Sequence, residues 1–325
     1  MKRCVCYSLL LQNAELRPIL LAQIAASVKS LRTHNRSVPV HAFVYGDEPE
    51  LAGILAPYDV TIHDQGSYED RLDRSLHHGA EVFSRYPVLH KLLNFEEISA
   101  LAPSQVLLLD CDTMFFADVN VLFERYSKAD CYAREEPFCK RSVLGYDPHD
   151  VDEELLAVIA SSEAISAPPP FNLGVTLLNN QLWRRMPPDS LLLYYVWRFA
   201  VWMALNRGRG ASAIAGSEIG ADYFCAQIQQ FVSNDDIRKS LQYPSQNRWI
   251  VDQFALWLTF AHIPNFAYED FRKQDVIQGS EFAANLMQPC DWILCHYFTG
   301  NTKAFDSWVR KFMPSIGIGP TIINR

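Results

Sequence analysis

The sequence predicts an α/β fold, opening with a half-domain of the nucleotide-binding type. Three observations point there. The first third alternates short apolar runs with stretches of helical spacing, the signature of parallel strands joined by crossover helices. A further apolar run, Val106-Leu107-Leu108-Leu109, ends in Asp110-Cys111-Asp112. The chain has 325 residues, 49% hydrophobic and 20% charged, enough to bury a large core as one α/β domain or two smaller ones.

Taken in order, Cys4–Leu11 reads as the first strand. Leu20, Ile24, Val28 and Leu31 then recur at helical spacing, and Pro18 suits the first turn of that helix. Val38–Tyr45 is a second strand closed by Gly46-Asp47, Pro49–Leu55 a short helix, and Val60-Thr61-Ile62 a third strand. Tyr86–Leu101 reads as a helix that delivers the chain to the acidic strand. Val119–Tyr126 is a short helix and Cys131–Arg134 a strand. Asp147 to Glu154 is acid-rich but lacks the glycine and the ligand spacing of a calcium loop, so it reads as solvated surface. After Pro168-Pro169-Pro170, Phe171–Asn179 is a buried-type strand with Gly174 inside it, which implies that something approaches the backbone closely. Leu191–Leu205 is apolar and aromatic. At fifteen residues it falls short of the roughly 20 that cross a bilayer, and so reads as a buried helix or a peripheral membrane or homo-oligomer contact. Gly208–Gly220 is small and loop-like, Trp249–Phe260 is a helix with Asp252-Gln253 in its first turns, and Trp292–Lys303 holds the last motif.

Composition narrows the function. A net charge of −8 argues against a nucleic-acid surface, while leaving room for a phosphorylated ligand neutralised by a metal or a few local cations. Neither GxxxxGK[ST] nor GxGxxG occurs, which excludes a standard P-loop or dinucleotide fingerprint. The eight cysteines (Cys4, Cys6, Cys111, Cys131, Cys139, Cys225, Cys290 and Cys295) form no CxxC, and they read as buried thiols of a cytoplasmic protein. Met1-Lys2-Arg3 and the apolar residues after it mimic a signal peptide. The run is short and meets Gln12-Asn13 without a small-x-small site, so a first strand is the reading.

The chemistry gathers at a few positions. Acids at the end of a buried strand emerge where open α/β sheets bind ligands. Two carboxylates one residue apart suit Mg²⁺ or Mn²⁺ shared with a substrate phosphate, although a turn with capping acids gives the same letters. The pattern departs from the DxDx[TV] of haloacid-dehalogenase phosphohydrolases, because Thr113 follows Asp112 directly. A phosphohydrolase or nucleotidyltransferase using the acidic pair stays open as an alternative, as does a non-catalytic binding protein. His296, with Gly300 and Lys303 after it, offers an imidazole as a third metal ligand and a cation for a diphosphate. Lys91 is either a surface charge or, given its neighbours Leu89, Leu92 and Leu93, a partly buried cation that requires an anion. Glu135 and Glu136 are either solvated or hold hydroxyls.

The order Lys91, Leu107-Leu108-Leu109-Asp110-Cys111-Asp112-Thr113, Phe171-Asn172-Leu173-Gly174-Val175, Asp252-Gln253, His296…Gly300…Lys303 resembles glycosyltransferase family 8, whose members include glycogenin and bacterial lipooligosaccharide galactosyltransferases. Asp118–Phe123 is also similar to that family's short helix. The resemblance implies a single Rossmann-like GT-A domain with a mixed central sheet, nucleotide-binding over 1–130 and sugar- and acceptor-binding over 131–325, with a helical insertion at about 182–248. It implies Mn²⁺ or Mg²⁺ on Asp110, Asp112 and His296, against the diphosphate of a nucleotide-sugar, UDP-linked in this family. Lys303 and Gly300 would meet the phosphates, and Tyr7, Ser8 and Asn13 the nucleotide. Lys91, Glu135, Asn172, Gly174, Asp252 and Gln253 would surround the sugar, with Gln253 near the anomeric carbon and transfer proceeding with retention. The acceptor would be a carbohydrate, glycolipid or protein. Three departures stand out: His-x3-Gly-x2-Lys in place of His-x2-Gly, Ala304-Phe305 where Pro-Trp is usual, and a stretch from Asn172 to Asp252 much longer than in glycogenin.

Overall fold

Parallel pairing begins where the sequence alternates strand and helix. The computed structural model describes residues 2–46, 49–76, 87–135, 171–186, 195, 251–278, 281 and 292–297. Strands β1 (Arg3–Leu10), β2 (Val40–Tyr45), β3 (Val60–Asp64) and β4 (Gln105–Leu109) lie side by side and parallel, in the order β3-β2-β1-β4. Helix α1 (Arg17–His34) makes the first crossover, with a proline in its first turn. Ile24, Val28 and Leu31 of the helical stripe pack into a core shared with β1 and β2, joined by Leu21, while Leu20 lies partly buried against it. Helices α2 (Pro49–Leu55) and α3 (Tyr68–Leu76) complete this half.

The second half turns the sheet from parallel to mixed. β7 (Phe171–Leu178), which follows β5 (Thr113–Phe115) and β6 (Cys131–Glu135) in the chain, runs antiparallel to both β4 and β6. Strand β8 (Tyr268–Asp270) adds parallel to β6 and completes a seven-stranded sheet, β3-β2-β1-β4-β7-β6-β8. This is the α/β, mixed-sheet architecture expected of a GT-A fold. Every residue of β7 is buried, as its reading as a buried-type strand required, with the polar Asn172 and Thr176 included. A separate three-stranded sheet pairs β5 with β10 (Leu294–His296), and β10 with β9 (Val276–Gln278).

One expectation about the elements is corrected. Tyr86–Leu101 is not one helix: a 3-10 segment covers Pro87–Asn94, and α4 (Phe95–Leu101) follows after Asn94 adopts a non-helical backbone. The apolar run before the acids ends at Leu109, as expected, and a second strand begins at Thr113. The chain breaks at the acids, so that β4 belongs to the large sheet and β5 to the small one. Helices α5 (Asn120–Arg125) and α6 (Val251–Ala261) lie where expected. Asp147–Glu154, Leu191–Leu205 apart from the buried Tyr195, Gly208–Gly220, Gly300, Lys303 and Ala304-Phe305 lie outside the described residues, as does most of the 182–248 stretch. Among the described residues no helix is long and apolar enough to cross a membrane.

The core also holds polar ties. Gln105 of β4 donates to Asn179 Oδ1 at 2.9 Å and to the Phe123 carbonyl at 2.9 Å, while Asn179 donates to the carbonyls of Tyr126 and Ala129. The buried carboxylate of Asp275 receives Arg125, Tyr126 and Arg272, and the Asp275 carbonyl accepts from Ile293 at the head of β10. Such groups stay buried because each has its partner. Five described cysteines are free and buried, and burial pushes the thiols of Cys6, Cys111, Cys131 and Cys295 up, so they stay protonated and inert.

Candidate metal and donor site

Register brings the acidic pair together with the other candidates. Tyr7 is level with Leu109 across the parallel β1–β4 pair, so Ser8, still within β1, stands level with Asp110 where β4 ends. β7 runs the other way, with Val175 opposite Leu109, and Gly174 accepts the Asp110 backbone N–H at 2.9 Å. β6 returns antiparallel to β7, Arg134 facing Asn172 and Glu135 facing Phe171, which brings Glu135 to that edge as well. This is the crevice beyond the carboxyl ends of the parallel strands where open α/β sheets bind ligands.

The small sheet supplies the third side. His296 pairs with Thr113 in the β5–β10 ladder, and the Tyr297 N–H donates to the Asp112 carbonyl at 3.1 Å. His296 Nε2 lies 3.3 Å from Asp112 Oδ1 and 3.8 Å from Asp110 Oδ2, and one donor atom from each of the three residues lies within 4.8 Å of the others. The histidine side chain is only 5% exposed, against 12% and 23% for the two carboxylates. Burial opposes its charged form, but Asp112 and then Asp110 outweigh that and raise its pKa above the ordinary histidine value. Two hard oxygens and one imidazole are a donor set suited to Mn²⁺ or Mg²⁺.

Gly174 is what lets the histidine in. A Cβ at that position would come 1.9 Å from His296 Cε1 and 2.4 Å from Nδ1. The close approach expected at this glycine is therefore the imidazole, in a cradle that any side chain would fill. The loop below is braced from the core. The Tyr7 hydroxyl meets Ser27 Oγ at 2.8 Å, Ser27 Oγ meets Thr113 Oγ1 at 2.9 Å, and Thr113 donates to the Asp110 carbonyl at 2.9 Å.

Each remaining candidate now has a place. Tyr7, expected at the nucleotide, is fully buried, with its hydroxyl on α1 and its pKa raised by that burial, so it acts as a brace. Ser8 stands at the edge, where its hydroxyl takes the Asn94 amide at 2.7 Å and lies 2.6 Å from His90 Nδ1. Asn94 accepts from the Tyr45 hydroxyl at 2.7 Å, and burial pushes His90 down to about 3, which keeps it neutral near pH 7. Asn13 is exposed, and its side chain accepts the N–H groups of Glu15 and Leu16, shaping the turn into α1. Lys91 finds its anion in Asp110 Oδ1, 2.6 Å away, rather than in open space. Asn172 accepts the Gly174 N–H at 2.8 Å, and Gln253 Oε1 accepts the Leu173 N–H at 3.2 Å. Glu135 is exposed at the end of β6, and its carbonyl accepts from Gln278 at 3.2 Å. Asp252 lies in the first turn of α6, with its side chain outside the described residues. The sequence reading missed His90, Asn94 and Tyr45. His90 and Asn94, four residues apart on either side of Lys91, were the signal available for them.

A cavity of about 30 Å³ lies behind the edge, lined by Cys6, Phe43, Leu108 and Leu256 and reached by Ser8, Asn94, Lys91 and Asp110. No protein-family model and no curated protein matches the sequence. Among solved structures, the chain is similar to galactosyltransferase LgtC in complex with donor and acceptor sugar analogues, at 13% identity over 90% of this chain and 86% of that one, with a TM-score of 0.46. It is also similar to apo mouse xyloside xylosyltransferase 1, at 13% identity over 91% and 97% with a TM-score of 0.46. The glycosyltransferase GlyE of Streptococcus pneumoniae gives 17% identity over 92% and 55%, with a TM-score of 0.42. Likenesses this distant leave function to the chemistry of the site.

Proposed function

We propose that the chain is a metal-dependent glycosyltransferase of the family-8 kind, moving a sugar from a nucleotide-sugar, UDP-linked by preference, to a carbohydrate, glycolipid or protein acceptor. The observation that carries this reading is the convergence of Asp110, Asp112 and His296 at the carboxyl edge of the parallel strands, within 4.8 Å of one another and seated against Gly174. A divalent cation held there would supply positive charge where the departing diphosphate becomes more negative.

The chain's own groups divide the remaining work. Asp110 and Asp112 would hold the cation from a loop braced by Thr113, so little reorganisation would be needed when charge develops. His296 contributes a nitrogen from the second sheet. Ser8, fixed by Asn94 and neutral His90, would face the nucleotide, and Lys303 and Gly300 would meet the phosphates. Asn172, Glu135, Gly174, Asp252 and Gln253 frame the sugar. Gln253 already uses its oxygen on the Leu173 N–H, which suits a stabilising role beside the anomeric carbon better than that of an attacking group. Retention of configuration through a same-face displacement fits that assignment.

The test is a mass-spectrometric screen of nucleotide-sugars incubated with the protein and Mn²⁺. Release of free sugar and nucleoside diphosphate from one donor, abolished by chelation, supports the proposal. Inorganic phosphate or nucleoside monophosphate without free sugar would replace it with phosphohydrolase or nucleotidyltransferase chemistry.

A further inference from the structure

We propose that Lys91 is a positioning residue that holds the Asp110 carboxylate to one-oxygen coordination and thereby biases the site toward a small six-coordinate cation over Ca²⁺. The inference rests on the metal reading above. Lys91 Nζ takes Oδ1 of Asp110 at 2.6 Å, while Oδ2 is the oxygen that faces His296 Nε2 at 3.8 Å. The two oxygens of one carboxylate are thus divided between a lysine and the metal-ligand cluster.

Neither partner can easily give way. The Asp110 backbone is clamped on both sides, its N–H donating to Gly174 and its carbonyl accepting from Thr113. Lys91 leaves a 3-10 segment whose Leu89, Leu92 and Leu93 are all at most 2% exposed, so its root is anchored in the core. Turning both Asp110 oxygens onto one ion would break a short charge-assisted hydrogen bond, the stronger kind. Ca²⁺ takes six to eight oxygens and often uses carboxylates through both atoms, whereas Mg²⁺ demands near-octahedral geometry with one oxygen per carboxylate. The lysine therefore costs Ca²⁺ a ligand that it does not cost Mg²⁺ or Mn²⁺.

Lys91 also adds a positive charge beside the site, which weakens binding of every dication. Because Mn²⁺ and Ca²⁺ carry the same charge, that effect largely cancels in the ratio of their dissociation constants, and geometry remains. The experiment measures Mn²⁺ binding from the free-ion electron paramagnetic resonance signal, and Ca²⁺ by its displacement of Mn²⁺. In Lys91→Met the ratio Kd(Ca²⁺)/Kd(Mn²⁺) should fall by about tenfold, the low end of what outer-shell partners of metal ligands contribute. Lys91→Arg, which keeps a donor on Oδ1, should retain the wild-type ratio. Lys91→Ala reads the same ratio should the methionine variant not fold. Both affinities rising with the ratio unchanged would make Lys91 a nearby charge only and overturn the proposal. Wild-type protein that binds neither ion would overturn the metal reading itself, a distinct result.

Discussion

Gly174→Ala is the substitution whose outcome the structure fixes most narrowly. The new methyl carbon would sit 1.9 Å from His296 Cε1. Carbon atoms in contact prefer about 3.5–4.0 Å, so one side must move by roughly 1.5 Å or more. β7 is buried along its whole length and paired on both sides, so the imidazole is the side that yields. A shift of that size pulls Nε2 off Asp112 Oδ1, now 3.3 Å away, and off the shared cluster. Overpacking of this kind costs about 1–3 kcal/mol, measurable as a lower urea midpoint with an unchanged slope. The variant should also lose Mn²⁺ binding. The decisive part is the double-mutant cycle. In a His296→Ala background the methyl meets no ring, so the stability cost of Gly174→Ala should largely vanish, giving a coupling close to the whole single-mutant effect. Additive costs would refute the close approach and, with it, the account of how His296 enters the site.

Three further outcomes follow from other parts of the molecule. Asp112→Ala should weaken Mn²⁺ binding by at least about 100-fold, more than an outer-shell change would, with thermal unfolding little altered; titration calorimetry showing retained binding would remove Asp112 from the metal set. Asp275→Ala deletes the buried acceptor of Arg125, Tyr126 and Arg272 and should cost about 1–3 kcal/mol in urea unfolding, because the half-exposed arginines can turn to water while the tyrosine cannot; a change below ~0.5 kcal/mol would show that the cluster does not hold the small sheet. His41, pushed down to about 4 by burial, then by His63 and Lys2, binds fewer protons folded than unfolded between about 4 and 6.5. Its contribution is fully present above 6.5 and is lost as pH falls toward 4. His41→Gln should flatten the pH dependence of unfolding free energy in that window, and an unaltered slope would contradict the assignment.

The first half of the fold was readable because its strands and helices are long enough for periodicity to show. Leu20, Ile24, Val28 and Leu31 announced α1, and Val106–Leu109 announced the central strand. The second sheet was not readable. Thr113–Phe115, Val276–Gln278 and Leu294–His296 are three residues each, too short for alternation to register, and they are ordered by pairing with one another across the chain. Gly174 signalled a close approach, but only the β5–β10 ladder names His296 as the group that approaches. Lys91 signalled a buried anion, and the anion is Asp110, a carboxylate of the proposed metal set, rather than a substrate. Tyr7 misled because the alternation that sends Ser8 to the crevice also sends the tyrosine hydroxyl to Ser27. Local pattern marks residues that need partners, and tertiary pairing chooses the partners.

The central claim is that Asp110, Asp112 and His296 hold a divalent cation against a nucleoside diphosphate. Isothermal titration of UDP into the protein, with Mn²⁺ and then with a chelator, tests it most directly. The account predicts binding that is at least about tenfold tighter with Mn²⁺, a coupling of about 1.4 kcal/mol. Equal affinity in the two conditions would contradict it.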